Sequence, residues 1–241
     1  MDKVALITGG ARRLGAAIAE ELHAARYRLA IHCQHSTAEA AALAARLNAL
    51  RPASAFVVTA DLRDESATSA LVSTVAAHWG RLDALVNNAA VFQPAPLACA
   101  TSEEWSQTMD VNLRAPFLLA QAAAPLLAAA EGAIVNITDI YADRPKAGFV
   151  IYCAAKAGLA GLTRALAREL APAVRVNGVA PGAILWPETA SADTRQALLD
   201  RTPLGRCGEP ADIAQAVRYL LEARFVTGQI IAVDGGRNLN D

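Results

Sequence analysis

The sequence predicts a doubly wound α/β domain, a parallel sheet covered by helices on both faces, and three observations carry that prediction. Short β-branched apolar runs alternate with longer helix-period segments, each run is apolar on both faces, and polar clusters fall at the run ends. The runs are 4–7, 29–31, 56–58, 85–86, 134–137, 174–179 and 230–233, which gives a Rossmann-type sheet of about seven strands. A chain of 241 residues, 54% hydrophobic, is enough for one such domain over 1–241, and no linker, repeat or low-complexity stretch divides it. The longest irregular stretch, 181–193, follows the sixth run and is expected to form a substrate lid around 181–200.

A formal net charge of −1 with both signs scattered gives no footprint for nucleic acid or an anionic membrane, so small-molecule chemistry is expected. The opening Met1-Asp2-Lys3 does not read as a signal peptide, and no apolar segment is expected to reach the ~20 residues of a spanning helix. A cytoplasmic location follows as an expectation. Cys33, Cys99, Cys153 and Cys207 lack C-x-x-C spacing, so no metal site or disulfide framework is expected, and the four are expected to be reduced and buried.

Each functional element sits at the end of a run. Thr8-Gly9-Gly10-Ala11-Arg12-Arg13-Leu14-Gly15 joins the first strand to the first helix, where glycines let the backbone approach a pyrophosphate lying on the helix N-terminus. Arg12 and Arg13 there oppose the positive end of the helix dipole, at a cost of ~0.3–1 kcal/mol that a bound anion would remove. The second run ends in His32-Cys33-Gln34-His35-Ser36, with no carboxylate to grip a ribose 2′-hydroxyl. Arg12, His35 and Ser36 suit a 2′-phosphate instead, which favours NADPH. Ser36 also reads as the N-cap of a capping box closed by Glu39.

Asp139 follows the fifth run, thirteen residues before Tyr152, and Lys156 lies four residues after Tyr152. Tyr152 and Lys156 share one helix face, and a nearby ammonium is expected to lower the tyrosine pKa from about 10. Asp139 reads either as a turn residue or as a carboxylic acid that relays a proton with Tyr152, provided burial raises its pKa.

With these residues assembled, the chain resembles the short-chain dehydrogenase/reductase family over its whole length. The resemblance rests on Thr8-Gly9 to Gly15, Asp61, Asn87-Asn88-Ala89, Asn112, Tyr152 with Lys156, Pro181-Gly182 and Val233-Asp234-Gly235-Gly236. Arg13 stands where most members carry the middle glycine, and Asp139 where most carry the catalytic serine. With His35-Ser36 and Phe92, these departures look like the pteridine reductases; the dihydromonapterin reductase type shares the Asp. The resemblance implies NADPH-dependent reduction of oxidised or dihydro pterins, with dihydrofolate as a further candidate, and a homotetramer in which helices at 112–130 and 151–171 pair. It also implies that Asp61, Leu62, Asn88, Ala89, Pro181 and Gly182 join Gly9, Arg12, Arg13, Leu14 and Gly15 around the cofactor. By the same resemblance Lys156 holds the nicotinamide ribose and Asn112 holds a helix and a relay water.

A flat pterin calls for stacking and hydrogen bonds. Phe92 is expected to supply one face, unless it is an ordinary loop aromatic. Arg13 is expected to reach both phosphate and pterin, and Tyr141, Leu185 and Trp186 to line the substrate side. Tyr141 also reads as a rim residue and Trp186 as a lid anchor. Two rival readings are a general carbonyl or 3-oxoacyl thioester reductase, and a non-catalytic NADP(H) sensor.

Overall fold

The computed structural model describes residues 2–185 and 191–239. Seven strands, β1 (Val4–Ile7), β2 (Arg28–Cys33), β3 (Ala55–Thr59), β4 (Ala84–Asn87), β5 (Ala133–Ile137), β6 (Arg175–Pro181) and β7 (Ile230–Val233), form one sheet in the order β3-β2-β1-β4-β5-β6-β7. All pairings are parallel. The order reverses between β1 and β4, so a crevice opens there beyond the carboxyl ends of the strands.

Strand alternation sorts the core into two layers. Ala5, Ile7, Leu29 and Ile31 pack with α1 (Arg13–Ala24), α2 (Thr37–Leu50) and α8 (Pro210–Glu222). Val4, Leu6, Leu85 and Ile134 pack on the other face with α3 (Glu65–Trp79) and α5 (Ala115–Ala129). The remaining helices are α4 (Ser102–Met109), α6 (Val150–Glu169) and α7 (Ala192–Asp200).

Several expectations need adjusting. Val174 precedes β6, which runs on through Pro181. The lid region is not irregular throughout, since α7 occupies Ala192–Asp200; Trp186 lies outside the described residues. The 112–130 helix is α5 preceded by a π-helical turn, Asp110–Arg114, which contains Asn112. Cys99 is exposed and Cys207 partly so, because both sit on loops, whereas Cys33 and Cys153 are buried; all four are free. Two helical stretches, 102–129 and Val150–Glu169, are long and apolar enough by composition to cross a membrane, contrary to expectation. Their apolar character has a local use: Leu119, Ala120, Ala123 and Leu127 of α5 lie in the core against β4 and α3.

Buried amides tie α6 to the sheet. Asn87 donates to Asn136 Oδ1 (2.8 Å), Asn136 donates to Thr163 Oγ1 (2.9 Å), and Thr163 donates to the Leu159 carbonyl (2.7 Å), linking β4, β5 and α6. Each donor in this chain is satisfied by the next group, which offsets its desolvation and fixes the register of α6, while Asn87 Oδ1 is buried without a partner among the described residues.

Candidate active site

The crevice is a cleft of about 1040 Å³ lined by the first strand–helix turn, the ends of β2, β4, β5 and β6, and α6. The turn is built by internal bonds. Gly9 sits at φ +60°, and its N–H donates to His32 Nδ1 (3.2 Å), while His32 Nε2 meets the Ala60 carbonyl (3.1 Å). These partners assign the neutral tautomer with hydrogen on Nε2, and burial keeps the His32 pKa below its usual value. Asn88 donates to the Thr8 and Gly9 carbonyls (2.9 and 3.0 Å), and Thr8 Oγ1 accepts from the Asn88 and Ala89 amides (3.0 and 3.1 Å). A Cβ at Gly15 would fall 2.1 Å from the Gly9 carbonyl oxygen, so glycine there is demanded by the turn itself.

The cleft suits a dinucleotide. No side chain caps α1 and no acidic residue stands in its first turn, so its positive end is left for an anion. Arg12 is the N-cap residue and Arg13 the first helical residue, at φ +50°, a left-handed conformation that favours glycine. Gly9, Arg12, Arg13, Leu14, Gly15, His35, Ser36, Leu62, Asn88, Ala89, Pro181 and Gly182 all line the cleft. Two expectations change. The Ser36 side chain makes no capping hydrogen bond; Glu39, its supposed partner, instead faces Arg12 at 3.5 Å. Asp61 is not among the lining residues, because its carboxylate is engaged by Arg63 (2.6 Å), which holds its pKa down at about 2.

At the other end the chemistry-bearing groups converge. The Tyr152 hydroxyl donates to Asp139 Oδ2 (2.7 Å), and Asp139 Oδ1 accepts the Tyr141 amide (2.9 Å), capping the turn Ile140–Ala142. Both readings of Asp139, turn residue and partner of Tyr152, therefore hold together. Burial raises the Asp139 pKa against the opposing pull of its hydrogen bonds and of Lys156 and Arg237. Lys156 is 2% exposed, and its Nζ donates to the Ile137 carbonyl (2.7 Å). Burial pulls its pKa down to about 8, although the Asp139 charge acts the other way.

The expected lowering of the Tyr152 pKa is not found. Burial raises it, and the Asp139 charge and hydrogen bond raise it further, while the Lys156 ammonium sits 5.7 Å from the ring centroid and is engaged elsewhere. Tyr152 therefore holds its proton, and the pair as a whole favours retention of protons.

Asn112 is fully buried, and its carboxamide exchanges two bonds with the Val91 main chain, both 2.9 Å. Its side chain is thus tied to the loop that carries Phe92. Phe92 is 52% exposed and lines the cleft, but two ring neighbours are already present: Phe149 stacks on it at 4.6 Å and 15°, and Tyr152 meets it edge-on at 4.7 Å. Tyr141 and Leu185 also line the cleft.

Sequence reading missed His32, Lys146, Phe149 and Arg237. Phe149 was within reach of a spacing argument, since it lies three residues before Tyr152 at the start of α6. Lys146 lies over the rings of Phe149, Phe92 and Tyr141 at 4.3, 5.5 and 5.7 Å, and Arg237 donates to the Tyr141 hydroxyl at 3.4 Å. Nothing local in sequence marks these two.

Comparison with known proteins places this geometry in context. A family model described as enoyl-(acyl carrier protein) reductase matches residues 9–238. A granaticin polyketide synthase putative ketoacyl reductase 2 from Streptomyces violaceoruber is 38% identical over 244 positions, covering 98% of this chain and 96% of the relative. Pteridine reductase 1 from Leishmania tarentolae is 37% identical over 278 positions, with the same coverages of 98% and 96%. A 3-oxoacyl-(acyl-carrier-protein) reductase from Staphylococcus aureus is 35% identical over 242 positions, covering 98% of each.

Proposed function

The chain belongs to the short-chain dehydrogenase/reductase family, and we propose that within it this protein uses NADPH to reduce dihydropterins, with oxidised pterin and dihydrofolate as further substrates, to tetrahydro forms. The family is one of oxidoreductases that use nicotinamide cofactors.

The observation that carries the pterin reading is the 2.7 Å bond between Tyr152 and Asp139 in surroundings that favour a protonated carboxyl. A ketone oxygen needs only a phenol to protonate it. Reduction of C=N takes up one proton per hydride as reduction of C=O does; what the pair adds is a second acid, since Asp139 stands where it can replace the proton the phenol gives up. When bound, NADPH supplies hydride to a C=N bond of the ring. Tyr152 gives a proton to the ring nitrogen, and Asp139 restores it. Lys156, fixed on the Ile137 carbonyl, places a positive charge beneath the site and reaches the nicotinamide ribose. Phe92 offers its free face to the pterin, and Arg13 lies between phosphate and ring. Arg12, His35 and Ser36, brought together on one wall, support the preference for NADPH.

A second reading has its own support: the ketoacyl and 3-oxoacyl reductases are as similar to this chain as the pteridine reductase. NADPH oxidation by purified protein, assayed against dihydropterins, dihydrofolate, simple ketones and 3-oxoacyl thioesters, separates the two. Turnover with dihydropterins well above that with ketones and thioesters supports the proposal. Efficient ketone or thioester reduction with dihydropterins ignored overturns it. The homotetramer and the cytoplasmic location belong to the same proposal; Trp105, Phe117 and Val150 are exposed apolar groups that subunit pairing would cover, and light scattering tests it.

A further inference from the structure

Tyr141 stands where the cleft meets a second chamber of about 440 Å³, and it lines both. Its main chain and its side chain are held by different parts of the fold. The Tyr141 N–H donates to Asp139 Oδ1 (2.9 Å), within the turn that follows the reacting carboxyl. Its hydroxyl is met from the far end of the chain: Arg237 donates to it at 3.4 Å, and the guanidinium carbon lies 5.9 Å from the ring centroid. The Lys146 ammonium lies over the same ring at 5.7 Å. Arg237 is itself held in place. Asp234, buried just past β7, accepts the Gly236 N–H on Oδ1 (2.9 Å) and the Asn238 N–H on Oδ2 (2.6 Å), which fixes the backbone on either side of Arg237.

These contacts decide what the Tyr141 hydroxyl can do. A guanidinium has donors and no acceptor, so in this pair the phenol oxygen accepts and its own hydrogen points elsewhere. Among the described residues nothing accepts that hydrogen, whereas the Tyr152 hydroxyl gives its own to Asp139 at 2.7 Å. The two phenols therefore have separate tasks. Tyr152 faces the bond being reduced, and Tyr141 offers a donor farther along the substrate, at the passage to the chamber.

We propose that Tyr141 is a specificity-determining donor to an oxygen acceptor on the substrate's side chain, such as a hydroxyl, and that Arg237 is the positioning residue that turns the phenol toward it. This rests on the pterin reading of the main cleft: the ring lies beside Tyr152, and its side chain leaves past Tyr141 toward the chamber. A substrate with no oxygen there leaves the donor without a partner once water is displaced, and is bound less well.

The test compares kcat/KM for two dihydropterins at saturating NADPH: dihydrobiopterin, whose side chain carries hydroxyls, and the dihydropterin with a methyl group in its place. Wild-type protein should favour dihydrobiopterin by ~5- to 10-fold, the size of one neutral hydrogen bond, chiefly through KM. Tyr141→Phe keeps the ring and should remove most of that preference. Arg237→Met should remove part of it, and Arg237→Lys should retain more of it than Arg237→Met. Because Arg237 acts through the phenol, the double variant Tyr141→Phe with Arg237→Met should lose no preference beyond that lost in Tyr141→Phe alone. A merely structural role would lower both substrates alike and leave their ratio where it was. A wild-type protein without the preference, or a Tyr141→Phe variant that keeps it, overturns the donor. A further loss of preference in the double variant overturns the positioning role of Arg237. Each of these results leaves pterin reduction standing, whereas no turnover of either dihydropterin overturns that reading and the contact that rests on it.

Discussion

Asp139 shares its two oxygens between Tyr152 and Tyr141, the first accepting a hydroxyl at 2.7 Å and the second an amide at 2.9 Å. One carboxylate thereby joins the chemistry to the turn that holds it. Asp139→Asn keeps one acceptor oxygen for the Tyr141 amide, turns an NH2 donor toward the Tyr152 hydroxyl and removes the exchangeable proton. Turnover on dihydropterin should fall by ~10²-fold or more while NADPH affinity stays near wild type. The stability sign runs opposite. A carboxyl whose folded pKa is raised by burial contributes most below the unfolded pKa and costs stability as pH rises through the folded value. At pH 7 the Asn variant should therefore melt no lower than wild type, and calorimetry alongside kinetics checks both halves.

Lys156 gives an alkaline limit. Its folded pKa, about 8, lies below the 10.5 of a free lysine, so loss of its charge should depress kcat/KM as pH rises through about 8. The stability effect again differs in sign: between about 8 and 10.5 the unfolded chain binds the extra proton, so this group favours folding increasingly as pH rises across that window. Lys156→Met should abolish the kinetic limb and remain folded at pH 7. A pH profile unchanged in shape would contradict the role.

Glu39 competes for Arg12 at the cofactor wall. The pair is exposed and separated by 3.5 Å, so breaking it costs at most ~1 kcal/mol. Glu39→Gln should release Arg12 and remove a negative charge, tightening NADPH by a few-fold without changing NADH. Fluorescence titration of both cofactors reads the difference, and equal gains for the two would show that Arg12 does not meet the 2′-phosphate.

Arg13 occupies a left-handed position, φ +50°, where glycine is at ease. Arg13→Gly should relieve that backbone cost, of the order of 1 kcal/mol before the entropy glycine adds to the unfolded chain, and so leave the melting temperature nearly unchanged. Pterin turnover should nonetheless fall more than activity on any small ketone. Preserved pterin turnover would mean that the side chain serves nothing beyond its own turn.

Asn112→Ala should orphan both polar groups of Val91, at ~1–3 kcal/mol for a buried unsatisfied group. Because Val91 adjoins Phe92, the loss should also raise KM for the pterin more than for NADPH. Thermal unfolding and steady-state kinetics together test this, and an increase confined to the cofactor would place the loop's role elsewhere.

The sheet was legible because buried parallel strands leave continuous apolar runs, and every predicted run overlaps a strand. The wall around Gly9, Arg12 and Ser36 was legible because the turn and the end of β2 are neighbours in any doubly wound sheet. What escaped depends on distance in the chain. Arg237 meets Tyr141 across 96 residues, and the His32 bridge between Gly9 and Ala60 spans three strand ends; no local pattern encodes either. The direction of the Tyr152 shift was misjudged because helix spacing brings Lys156 to the same face without saying where its Nζ points, and the Ile137 carbonyl claims it.

Residues 234–236 brace both ends of the excursion between β6 and α8. At its start a Cβ on Gly182 would lie 2.5 Å from the Asp234 Cβ, and at its close Leu204 donates to the Gly235 carbonyl at 3.1 Å while Gly236 abuts Pro203. The closing segment of the fold thus works as a hasp across the base of the substrate wall. A side chain placed at Gly235 or Gly236 would push on Thr202 or Pro203 and shift that wall. The amino end of β1, on the far side of the sheet from the cleft at the strands' carboxyl ends, is the side on which to label this protein.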